Sequence, residues 1–200
     1  MTDTVWLSDA PNEPGLTSFY RMEDRAAPEM ERTKIALFQR GGGHLDPKFL
    51  PQRAIDVDNR KKKLGHLFMV NGFLCVTEKT AAVLRQFDLG SGGLYPLEMV
   101  RYDGVTPIDG FFWALNFGEK KDALVIEQCR NITGHAKHGY FPEATLKDDD
   151  LVLTTRALKG TDIWGDEKLR SGFFISPRLG QALHKAGLAK VFHLMRCRIV

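Results

Sequence analysis

Two stretches decide the fold: "FLCVTEKTAAVLRQFDL", Phe73 to Leu89, and its echo "FFISPRLGQALHKAGL", Phe173 to Leu188. In each, an apolar run suited to a buried strand stops at a hydroxyl residue, Thr77 or Ser176, which reads as a helix N-cap. Glu78 then places an acid in the first helical turn, and Pro177 fills the same slot in the second copy with its φ already helical. Thr80, Val83, Leu84 and Phe87 form an apolar stripe, and "DLGSGG" ends the first helix. Leu183 matches Leu84, Leu188 matches Leu89, and "VFHLMRCRIV" matches "LYPLEMVRYD" after a turn two residues shorter. Both units, 73–102 and 172–200, therefore read as strand, capped helix, strand.

Working outward, "DGFFWALNF" alternates Phe111, Trp113, Leu115 and Phe117 with smaller or polar residues, and "DALVIEQC" and "DLVLTTRAL" read as further strands. Short strands joined by brief turns predict an α+β fold: a mixed, mainly antiparallel sheet carrying the two similar strand-helix-strand units. Residues 67–200 form this α+β domain. Residues 1–66 are expected to be a loop-rich arm or small subdomain, since "APNEPG", "AAP" and "GGG" break any sustained period. Only Pro28 to Arg40 offers a helix there, with acids early, an Arg late and glycines after.

The chain has 200 residues, 43% of them hydrophobic, enough to bury a sizeable interior. Its 28 basic side chains face 25 acidic ones, so the net charge of +3 describes a mixed surface and not the one-sided field of a dedicated nucleic-acid binder. The dense run "NRKKK", Asn59 to Lys63, reads as a solvated loop before a buried strand. Cys75, Cys129 and Cys197 are an odd, widely spaced set, which suits a reducing compartment. The acidic and proline-bearing N-terminus lacks the pattern of a signal peptide, and no stretch stays apolar long enough to span a bilayer. A cytoplasmic protein with no membrane contact is expected.

Chemistry is sparse. Cys129, His135 and His138 lie close in sequence but lack the second ligand pair of a zinc site. "RGGGH", Arg40 to His44, leads into prolines and not a helix, so it reads as a flexible hinge and not a phosphate loop. The acids Asp148 to Asp150 are expected in solvent, with nothing nearby to raise a pKa. Nucleophile elbows, zincin helices and Cys-x-x-Cys pairs are absent from the sequence. No catalytic, cofactor or metal residue is assigned.

The stretch "ALKGTDIWGDEKLRSGFFISPRLGQALHKAGLAKV", Ala157 to Val191, resembles the C-terminal signature of immunity protein family eleven of bacterial polymorphic toxin systems, first described as a domain of unknown function. The resemblance rests on Trp164 and Asp166 in "IWGD", on the "FFISPRL" step and on the "ALHKAGL" helix end. The central segment is similar too, through Leu115-Asn116 and Asp122-Ala123-Leu124, so the likeness covers Leu67 to Val200. It implies a cytoplasmic binding protein, without cofactor, that neutralises a cognate protein toxin encoded beside it. Such toxins include nucleases, and a chain of net charge +3 would block one by shape and not by mimicking phosphates. Trp164 is expected to pack on the neighbouring helix with its indole N–H satisfied by Asp166 or a carbonyl, and Thr77 and Ser176 to cap helices. Candidate partner anchors lie outside the two units: Trp6, Phe19, Tyr20 and Arg21 in the arm, and His138, Tyr140 and Phe141 in the long loop. The alternative is an enzyme or nucleic-acid-associated protein using the Cys129 to His138 loop or the Asn59 to Lys63 run.

Overall fold

The computed structural model describes residues 4–13, 20–23, 29–57 and 64–200. Asn71 and Gly72 both take positive φ, the backbone a two-residue hairpin turn needs, and join β4 (Leu67–Val70) to β5 (Phe73–Thr77). α2 (Glu78–Leu84) then crosses to β6 (Gly93–Val100), and a long loop returns as β7 (Phe112–Asn116) between β5 and β6. β2 (Tyr20–Met22) and β3 (Arg53–Asp56) close this sheet into a barrel of order β2-β3-β6-β7-β5-β4. α1 (Glu29–Arg40) packs on the barrel through Ile35 and Ala36. Its buried Gln39 donates to the Leu115 carbonyl and accepts from the Leu74 N–H, so it bridges β5 and β7 just past their last paired residues.

A second sheet has the order β14-β1-β13-β12-β8, built from β1 (Trp6–Ser8), β8 (Lys120–Lys121), β12 (Ile163–Asp166), β13 (Phe173–Ile175) and β14 (Leu194–Arg196). α3 (Pro177–Lys185) joins β13 to β14. A hairpin of β9 (Ile132–His135) and β10 (Gly139–Pro142), and a parallel pair of β11 (Val152–Leu153) with β15 (Arg198–Ile199), complete the α+β architecture. Most strand pairs are antiparallel. β1, β2, α1 and β3 all come from the first 66 residues, and each is built into the sheets or packed on them.

The two repeated stretches occupy equivalent places. β5 and β6 flank β7 with Val76 and Pro96 opposite Trp113, and β13 and β14 flank β1 with Ile175 and Arg196 opposite Trp6. One strand earlier, Leu67 faces Val76 as Ile163 faces Ile175. The Arg85 guanidinium sits 4.4 Å over the Trp113 ring, while His184, as far beyond Ser176 as Arg85 is beyond Thr77, sits 5.2 Å from the Trp6 ring. The third strands align differently from the sequence match: Arg196, which that match sets against Met99, stands where Pro96 does. Phe192 is buried in the core within the preceding turn instead of starting the strand, and this moves the register.

Helices of seven and nine residues are too short to hold themselves, so their stability comes from packing. Ala81 and Leu84 of α2 and Leu179 and Leu183 of α3 enter one apolar core with Phe117, Phe173 and Phe192. The barrel interior is a second core around Phe68, Phe73 and Phe112, and Trp164, Val5 and Leu7 lie in a third on the other side of the second sheet. Trp164 therefore does not pack on α3. It stacks on Phe174 at 5.9 Å under the Lys121 ammonium, its indole N–H has no partner among the described residues, and Asp166 instead accepts the backbone N–H groups of Ala123, Leu124 and Lys168.

"RGGGH" is a joint and not a flexible hinge. Gly42, at positive φ, ends α1 with its backbone against Gly165 of β12, and Gly41 meets the Arg170 backbone. Only glycine on both sides permits this approach, and His44 and Leu45 then bond to Phe117 and Asn116. The acids of 148–150 also depart from the expected solvated cluster. Asp150 is buried and bonded to Asn131 and the Lys147 N–H, while Asp149 accepts from Nε and Nη2 of Arg196.

The two caps diverge. Ser176 accepts the Leu179 N–H and donates to Asp162, which is 1% exposed and also grips Arg178. Thr77 has cap backbone geometry, but its hydroxyl pairs with His66 Nδ1 instead, so the side-chain cap expected there is absent. Burial pushes the Asp162 carboxyl up, but Arg178, Ser176 and the Asp88 N–H outweigh it and hold it below the usual range. A carboxylate so depressed contributes stability that is full above its unfolded value of about 3.9 and is lost as pH falls through the folded value.

Two outcomes follow from these contacts. Gly165→Ala, whose Cβ would drive into the Gly41 carbonyl, should cost about 2 to 3 kcal/mol in denaturant unfolding at neutral pH. Ser176→Ala should cost about 1 to 2 kcal/mol, and Asp162→Asn should flatten the fall in unfolding midpoint below about pH 4.

Candidate interaction site

β6 and β3 run parallel and end beside each other, and the loop after Val100 rises from that end of the barrel. Its sequence, "RYDGVTPIDGF", puts Asp103-Gly104 at a tight turn, with Gly104 at positive φ. The Asp103 carboxylate accepts the Val105 and Thr106 N–H groups and the Thr106 hydroxyl, and these bonds, the hydroxyl's foremost, hold its pKa below the usual carboxylate range. Arg101 N–H donates to the Thr106 carbonyl and Ile108 N–H to the Met99 carbonyl, so the loop continues the β6 ladder. Arg53 donates to the Gly104 carbonyl at 2.7 Å while pairing with Glu98 at 3.0 Å and with Glu23.

The loop is thus held in place, yet it turns only Ile108 of its large apolar side chains toward the barrel core and leaves the others in water: Tyr102 is 64% exposed, Val105 77% and Phe111 73%. A buried Phe112 follows directly, anchoring the loop's end in the barrel core. A groove of about 510 Å³ opens on one side of the loop, between Arg21, Ile55, Val57 and Tyr102. A second, of about 330 Å³, opens on the other side along Pro96 to Met99 and Phe111. Exposed apolar side chains on a preorganised frame suit protein docking, because little conformational freedom remains to be lost on binding.

The anchors expected from sequence are dispersed. Tyr20 and Arg21 stand on β2 at this same barrel end, Tyr20 edge-on to Phe68 at 6.0 Å and Arg21 exposed at the first groove. Phe19 lies outside the described residues, as does the run Asn59 to Lys63. Trp6 is half-buried in the second sheet, laid over Gly180 of α3. His138, Tyr140 and Phe141 belong to the β9–β10 hairpin, where Tyr140 is tied to the Lys168 and Arg170 backbone and Phe141 is exposed. Thr77, Ser176, Trp164 and Asp166 have the internal roles described above.

Tyr102 and Val105 escaped the sequence reading, and Phe111, read there as the first of the alternating strand residues of "DGFFWALNF", lies in the loop instead, because β7 begins at the buried Phe112. The signal was four large apolar residues, Tyr102, Val105, Ile108 and Phe111, inside a stretch dense in Asp, Gly and Pro, where a turn would ordinarily be polar. In the Cys129 to His138 segment the Cys129 sulfur is held by the Val125 carbonyl and the Val152 N–H, and burial raises its pKa. The His135 and His138 rings touch, with centroids 4.6 Å apart. Among the described residues no three His, Cys, Asp or Glu side chains are grouped to hold a metal ion, and no helix is long and apolar enough to cross a membrane. No protein-family model matches the chain, and no curated protein sequence matches it.

The frame can be separated from what it displays. Arg53→Ala should speed hydrogen exchange at Val105 and Thr106, leave the β5 and β7 amides protected, and change global stability by no more than about 1 kcal/mol.

Proposed function

We propose that the chain is an immunity-type binding protein that neutralises a cognate bacterial protein toxin by direct contact. The reading is carried by the 101–111 loop, whose exposed Tyr102, Val105 and Phe111 form an apolar tip on a frame tied down by Asp103 and Arg53. It is supported by the resemblance of Ala157 to Val191 and of the central segment to immunity protein family eleven. Buried aromatic anchors dominate protein interfaces, and a tip of this kind can enter a cleft on the toxin and occlude it without mimicking its substrate. Inhibition then needs no catalytic residue and no cofactor in this chain, and it acts in the cytoplasm, where the toxin would be made.

Co-expression with the product of the neighbouring gene should rescue growth, and the two proteins should co-purify. Tyr102→Ala with Phe111→Ala should weaken the complex by about 2 kcal/mol or more and abolish rescue, while the unfolding midpoint stays within about 0.5 kcal/mol of the parent. A toxic neighbour that neither binds the folded protein nor is neutralised by it would refute the reading.

A further inference from the structure

Three side chains at the tip of a loop do not make a stable interface by themselves, since such interfaces cover about 800 Å² on each partner. On the β7 side the tip runs into a bonded surface cluster. The Phe111 carbonyl accepts the Glu78 N–H at 2.9 Å, which ties the loop's end to the start of α2. Glu78 in turn accepts the Trp113 indole N–H at 2.6 Å and both terminal nitrogens of Arg85, whose guanidinium lies 4.4 Å over the Trp113 ring. The second unit has Pro177 in place of Glu78, His184 in place of Arg85 and Trp6 in place of Trp113. There the Trp6 ring lies against Gly180, where a Cβ would fall 2.3 Å from it, and its indole N–H has no partner among the described residues. Ala81 occupies the equivalent position in α2, and its methyl group closes that resting place to Trp113. Both units hold the same strand, helix, strand frame, so the bonds among Glu78, Arg85 and Trp113 are not what the frame requires. Their effect is to fix an exposed guanidinium and a half-buried indole beside the tip.

We infer that Trp113 and Arg85 are a second anchor of the partner-binding surface, continuous with the tip through Phe111, and that an uncharged apolar side chain of the partner enters the groove between Phe111 and Trp113. That groove, of about 330 Å³, runs along Pro96 to Met99, and apart from Glu98 its lining side chains are apolar. Glu98 is paired with Arg53, and Arg85 with Glu78, so among the described residues no unpaired charge meets a phosphate, an acidic group or a basic one here. A charged group brought into the groove would lose water without gaining a partner, whereas an aliphatic or aromatic side chain gains by leaving water. Tryptophan and arginine are among the side chains that dominate binding at protein interfaces, and fixing both beforehand leaves less freedom to lose on association. The inference rests on the toxin-binding reading for the identity of the partner.

The full-length protein has three tryptophans, so labelling with heavy nitrogen gives three indole N–H signals, with Trp6 and Trp164 as internal references. A short peptide of Gly and Ser around a single Phe should move the Trp113 signal and leave the other two in place, and its Ala counterpart should move none. In titrations with the neighbouring gene's product, Arg85→Ala and Trp113→Phe should each weaken the complex by about tenfold or more. The Trp6 and Trp164 signals should stay in place in both variants, which shows that the fold is kept. His184→Ala, the matching change in the second unit, should leave binding within about twofold of the parent. A Trp113 signal that ignores the Phe peptide, or that answers the Ala peptide equally, would overturn the inference. So would a Trp113 signal that shifts with the protein's own concentration, since that assigns the surface to a second copy. A toxin complex indifferent to Arg85→Ala and Trp113→Phe removes this surface from recognition but leaves toxin binding standing. A Trp113 signal moved by the Phe peptide, with no toxin complex formed, does the reverse.

Discussion

Everything else in the molecule depends on one apolar core that neither repeated unit can complete alone. α2 and α3 are each barely two turns long, and an isolated helix of that length does not persist in water. They become stable by turning Leu84 and Leu183 toward a common interior, where Phe117 from the barrel side meets Phe173 from the second sheet at 4.9 Å. The glycine contact of Gly42 with Gly165 and the paired bonds of Asn116 with Leu45 hold the flanks of the same junction. The two sheets thus behave as one folding unit, because separating them would expose the faces of both short helices.

The equivalence of the units makes a demand on chain order. In the first unit the middle strand, β7, follows directly after β6, so its pairings form between near neighbours in sequence. In the second unit the middle strand is β1, and β13 and β14 have no direct pairing with each other without it. Trp6 must be carried across the length of the chain to face Ile175 and Arg196. Closing a loop of that size costs entropy before any contact offsets it, so the second sheet is expected to assemble after the barrel.

This long-range step also explains what was legible in the sequence. The strand, helix, strand sentence could be read at both places because cap, stripe and glycine stop are local signals, and the α+β class followed from them. β1 and β2 are three residues each, too short to show a period, so their insertion into two different sheets left no local trace. Thr77 and Ser176 are alike in sequence and differ in use only because His66 stands beside one and Asp162 beside the other. Trp164 and the "RGGGH" glycines are set by partners remote in sequence: Lys121 and Phe174 in one case, Gly165 in the other. The exposed loop was missed for a different reason, since its turn signals were clear but its apolar residues could be told from core residues only by their solvent exposure.

The same asymmetry accounts for where a recognition surface can exist. Two equivalent units offer two places where the third strand could be joined to the middle one. In the first, β6 passes into β7 through the 101–111 loop, and the connection stands clear of the barrel with Tyr102, Val105 and Phe111 in water. In the second, Cys197 and Val5, which stand where Leu97 and Phe112 end the pairing of β6 with β7, are bonded backbone to backbone at 2.9 Å and buried in the core around Trp164. There the chain runs on from β14 into β15, which pairs with β11 instead of returning, so no loop is displayed. Because the middle strand of one unit was supplied from a distance, the scaffold has a single such connection, and changes in its exposed residues leave the shared core untouched. A binding protein that must match one partner without losing its fold needs that separation.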